Sequence, residues 1–163
     1  MNWLRRAFDG GEDRPAPAPQ EDDHAPAALR RLLADLVRDL NRSAGQLPTA
    51  AVVRARRLTD TLQEIIDSSD VRALDVYAGI TVRSTLTDYL PTSLRRYLAV
   101  PAELRDQPRP SGPTPTASLL EQLTALQTSA SAVLDALQHQ DADALMTQGA
   151  FLRTKFSGSD LDL

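Results

Sequence analysis

The sequence predicts an all-α protein: an antiparallel bundle of four to five helices with a kinked central helix and a disordered N-terminal tether. Three observations carry this expectation. Leucines recur at helical spacing from Leu29 to Leu40 and again from Leu119 to Leu137, no segment alternates apolar and polar residues as a half-buried strand does, and proline-rich breaks separate the periodic stretches. The length of 163 residues suits one domain. A chain of that size buries enough surface to fold without disulfide or metal support.

The expected organisation is a short amphipathic segment at 1–8, a linker at 9–27, a helical domain at 28–157 and a frayed tail at 158–163. The linker, DGGEDRPAPAPQEDDHAPA, holds no large apolar residue to bury. In the first helix Leu29, Leu32, Leu33, Leu36, Val37 and Leu40 form one stripe, with Arg30, Arg31, Asp35, Arg38 and Asp39 turned away. Gly45 is expected to end it in the left-handed region, and Pro48 to sit in the first turn of the second helix. That second helix places Val52, Ala55, Leu58, Leu62, Ile65 and Ile66 on one face.

Between Asp75 and Arg83 the run VYAGITV carries no charge, so more than one helical face is apolar and the third helix is expected to be the central, most buried one. Pro91 has no N–H and its ring opposes the carbonyl four residues back, which predicts a kink or a fresh start after Tyr89 and Leu90. Residues 101–116 hold five of the eleven prolines and read as a loop. Ser118 and Glu121 stand at capping-box spacing for a fourth helix. A turn near Gln140 would then lead to a fifth helix, with Asp141 and Asp143 in its first turn and Leu145, Met146, Gly149, Leu152 and Phe156 on its stripe.

Composition narrows the chemistry. The net charge is −4, from 18 basic and 22 acidic residues of mixed order, which argues against bulk nucleic-acid binding. There is no cysteine and there are two histidines, His24 and His139, which removes thiolate chemistry and the usual zinc sites. No phosphate loop, nucleophile elbow, dinucleotide-binding or zinc-protease pattern occurs. Neither histidine is placed to serve a nucleophile, so catalytic, cofactor-binding and metal-ligating residues are each read as none. Arg54, Arg56 and Arg57 read as a solvated face paired with Asp60 and Glu64.

The opening residues have a different character. In a helix, Trp3, Leu4, Ala7 and Phe8 would line one side and Arg5 and Arg6 the other, the layout of an interfacial anchor. These residues are candidate contacts for a membrane surface or a partner. The longest apolar runs fall far short of the roughly 20 residues that cross a bilayer. The expected location is cytoplasmic, with peripheral membrane contact through residues 3–8 as the variant.

DYLPTSLRRYLAVP at Asp88 to Pro101, followed by the leucine-rich stretch Ser118 to Phe156, resembles the bromo-chloro-indolyl phosphate hydrolysis protein family, small helical proteins associated with toxic-anion resistance. The resemblance covers roughly the last 75 residues and marks Tyr89, Leu90, Pro91, Thr92 and Leu94 as a structural motif. The chain departs from that family in lacking its apolar N-terminal half and its abundant lysines. The resemblance implies an accessory of anion or envelope stress, and by the family's name a weak phosphate-ester hydrolase or anion-binding protein. The residues themselves favour a non-enzymatic helical interaction module that needs no cofactor and binds a protein partner or a second copy of itself.

Overall fold

The computed structural model describes residues 24–110 and 112–157. The segment 1–8, with Trp3, Leu4, Arg5, Arg6 and Phe8, lies outside the described residues, as do most of the 9–27 linker and the tail 158–163. The described residues are mostly helical and contain no strand; one isolated bridge joins Arg109 and Gly112. The helices are α1 (Pro26–Ser43), α2 (Thr49–Ser68), α3 (Val76–Ser84), α4 (Leu90–Leu98) and α5 (Pro115–Ser157). A π-helical turn, Thr85–Tyr89, joins α3 to α4 without a break, so the described residues form four helical rods.

The α1 stripe is as the sequence predicts, with Leu29, Leu33, Leu36 and Leu40 buried, and Pro26 opens the helix where its missing N–H costs nothing. The turn to α2 is a short 3-10 segment, Ala44–Gln46, rather than a left-handed glycine: Gly112 is the only described residue with positive φ. Pro48 precedes α2, and its carbonyl accepts from Ala51 at 2.9 Å. In α2, Ala51, Ala55, Leu58, Leu62, Ile65 and Ile66 are buried. Each large side chain removed from water in this way contributes about 1.5–3 kcal/mol.

Side-chain bridges fix the directions of the rods. Arg30, near the start of α1, reaches Asp70 at 2.7 Å and Asp67 at 3.3 Å, at and just beyond the end of α2, so α1 and α2 are antiparallel. The hydrogen bond to Asp70 holds the Arg30 guanidinium pKa above its ordinary value against the opposing effect of desolvation, and the bond to Asp67 adds a smaller contribution in the same direction. Arg54, early in α2, donates to the Leu120 carbonyl and to Thr124 Oγ1, both at 2.9 Å, and Gln127 donates to Thr61 at 2.9 Å. The pairing of α2 with α5 is therefore parallel, and it is the most extensive of the helix contacts. These arginines do not pair with Asp60 and Glu64 as expected. Arg54 serves α5, and Arg56 donates to Asn41 of α1 at 3.1 Å.

Three further expectations are corrected. The uncharged α3 is not the most buried helix: Ala78, Gly79 and Val82 face inward, while Val76 is 78% and Tyr77 71% exposed. A short helix has one inward stripe, so its remaining apolar residues stay outside however uncharged the run. There is no turn at Gln140, because α5 continues through it for 43 residues. The stretch QHQDAD contains no Gly or Pro, its residues cost only a few tenths of a kcal/mol each in a helix, and Asp141 pairs with Arg72 at 2.7 Å. Nor does α5 start at a Ser118 capping box. Thr114 Oγ1 accepts from Ala117 N–H at 3.1 Å and Pro115 begins the helix.

Candidate interaction surfaces

The motif at 89–94 sits where the third rod changes its winding. The helix does not break before Pro91. Instead, Leu90 N–H donates to the Thr85 carbonyl five residues back, and this wider turn accommodates the ring that an ordinary α-turn would crowd. The structure separates the five motif residues by role. Leu90 and Leu94 are buried in the core, Pro91 and Leu94 line a groove, and Tyr89 is 53% exposed. Thr92 Oγ1 donates to Asp88 at 3.1 Å and accepts from Arg95 at 3.1 Å, so it braces the same helix surface rather than contacting another rod.

That groove runs between α1 and the π-turn with α4, and encloses about 360 Å³. Leucines form its floor: Leu36, Leu40, Leu86 and Leu94 are buried beneath it, and half-buried Leu32 and Leu98 stand at its mouth. Along α1, Asp35, Asp39 and Ser43 make one rim at successive four-residue steps, and Arg95 stands on the other. Asp35 is paired with Arg38, and Asp39 with Arg42 at 3.0 Å, but neither arginine lines the groove. The wider π-turn contributes to this shape by carrying Leu86 and Thr87 to the groove wall.

The second surface is the outer face of α3. Asp75 Oδ1 caps the helix by accepting from Ala78 N–H at 2.7 Å, which places Val76 and Tyr77 in its first turn with Ile80 one turn on. Smaller grooves flank this ridge. One of about 270 Å³ lies against Thr128, Ala132 and Ala136 of α5, and one of about 300 Å³ lies against His24 and Leu74.

The α1–α4 groove contains no histidine, and the His139 ring meets the Asp135 carbonyl of its own helix at 2.7 Å. Among the described residues no three His, Asp or Glu side chains gather to hold a metal ion. No described helix is long and apolar enough to cross a membrane.

One structurally central residue had no signature in the sequence. Arg105, in the proline-rich loop, donates Nε to the Val100 carbonyl at 2.9 Å, Nη1 to Gln46 at 3.0 Å and Nη2 to Leu98 at 3.2 Å. Its guanidinium also lies over the Tyr97 ring, 4.8 Å from the centroid. Arg105 thereby ties the end of α4 to the α1–α2 turn. Its only possible flag was a charged residue among prolines, and its partners are backbone carbonyls that no residue pattern reveals.

No protein-family model matches this chain, and neither a characterised protein nor a solved structure is recognisably similar to it.

Proposed function

We propose that this protein is a non-enzymatic helical interaction module, its four rods acting as one bundle that presents the outer face of α3 to an apolar helix of a protein partner. The observation that supports this reading is the exposure of Val76, Tyr77 and Ile80 in a stretch without a single charged residue from Val76 to Val82. A soluble helix ordinarily turns charged residues outward, and charge depletion with an aromatic anchor is the composition of an interface core. The resemblance to small toxic-anion-associated proteins agrees with an accessory role in anion or envelope stress, in the cytoplasm. Full-length tagged protein captured from its own cell lysate, beside Tyr77→Lys and Ile80→Lys variants, tests the reading. A partner held by the parent chain and lost from both folded variants supports it. Equal capture by all three, or capture of nothing by the parent chain, defeats it. Light scattering on the purified protein shows whether the partner is a second copy.

A further inference from the structure

The groove between α1 and α4 is a separate surface from the α3 face and has a different chemistry: it is concave, floored by leucine and edged with acid along α1. We propose that its occupant is a segment of this same chain, residues 3–8, Trp-Leu-Arg-Arg-Ala-Phe, held in place across the groove mouth.

Charge is the first argument. The α1 rim carries Asp35 and Asp39 one helical turn apart, and Arg95, the one cation among the described lining residues, stands on the opposite rim. Their partners Arg38 and Arg42 approach from positions three residues on, in exposed pairs that leave carboxylate oxygens open to a second cation. Residues 3–8 supply two adjacent arginines and no acid.

Shape and apolar content are the second. Among the described residues the groove wall has no aromatic side chain, and its mouth lies between half-buried Leu32, Leu98 and Pro91. A volume of about 360 Å³ admits a few large side chains and not an entire partner helix. Trp3, Leu4 and Phe8 are such side chains, set beside the two arginines.

Reach is the third. From His24, the groove positions Leu32 to Leu40 lie 8–16 residues along α1, about 12–24 Å at the helical rise. The 15 residues from 9 to 23 can span up to about 50 Å. A tether of that length places the segment at an effective concentration in the millimolar range, so a contact too small to hold a separate molecule suffices within one chain.

Trp3 is the only tryptophan, so the emission of the full-length protein reports this segment alone. The expected result is blue-shifted emission, with acrylamide quenching severalfold weaker than for a peptide of residues 1–12, unchanged on dilution. Leu32→Glu and Leu98→Glu should each restore peptide-like emission. The double reversal Asp35→Lys with Asp39→Lys, at exposed positions that leave the fold intact by circular dichroism, should do the same and decides the matter if the leucine variants fail to fold. Peptide-like emission from the parent chain overturns the proposal, as does a blue shift that the charge reversal leaves unchanged. A blue shift that fades on dilution assigns the segment to a second copy's groove. One that develops only with phosphatidylglycerol vesicles assigns it to a membrane surface. Either of those results also overturns docking within the chain, and none of them bears on the α3 face.

Discussion

Leu90 donates its amide hydrogen to the carbonyl of Thr85 rather than to that of Leu86, so one residue is accommodated as an extra in the turn before Pro91. The π-turn lets α3 and α4 remain one rod while both keep their buried residues, Ala78 and Val82 on one side of it and Leu90 and Leu94 on the other, turned to the same core.

Shortening that turn by one residue should therefore return it to ordinary α-helix. With Thr87 deleted and Pro91→Ala supplied to remove the ring, the protein should keep its helical circular dichroism and lose no more than about 2 kcal/mol in urea unfolding. Deleting exposed Arg57 from α2 should instead abolish cooperative unfolding, because it swings Leu58, Leu62, Ile65 and Ile66 by about 100°. Equal damage from the two deletions would contradict this account.

Arg105→Lys should cost about 2 kcal/mol, a fall of roughly 4–8 °C in Tm by calorimetry, because a point-charge ammonium cannot serve three separate carbonyls or stack on Tyr97.

Leu62→Ala and Leu123→Ala each remove a fully buried side chain from the helices of the largest pairing, and each should destabilise by about 2–5 kcal/mol in chemical denaturation. Val53→Ala, at a position 61% exposed on the same α2, should stay within about 0.5 kcal/mol of the parent.

The start of α5 can be tested through its cap. Thr114→Ala should lower stability by about 1 kcal/mol, whereas Ser118→Ala should change it far less, since the Thr114 hydroxyl and not that of Ser118 accepts the first-turn amide. The reverse order would restore the capping box at Ser118 and Glu121.

How much of this was legible in the sequence varies by element. The stripes of α1 and α2 were, because each helix buries a single face and the periodicity of Leu29 to Leu40 or Ala55 to Ile66 records which one. The fate of α3 was not. An uncharged run states that water is a poor neighbour, but not which of its faces the fold covers. The continuity of α5 was hidden by polarity, since QHQDAD resembles a turn in composition although no residue in it breaks a helix. The groove was half legible: Pro91 and Leu94 stood out as a motif, while Asp35 and Asp39 appeared only as the outer face of α1. Their position beside the third rod depends on packing that local periodicity does not encode.

The parallel course of α2 and α5 has a consequence for how the molecule is made. Thr61 meets Gln127 across a separation of 66 residues, so the apolar side of α2 must wait through the synthesis of the third rod and the proline loop for its principal cover. Partnerships between distant residues slow folding relative to bundles closed by successive hairpins. The α1–α2 hairpin emerges from the ribosome early, with Leu58, Leu62 and Ile65 still uncovered. Uncovered apolar surface of that kind makes a partly made chain prone to aggregation, and α5 supplies the cover.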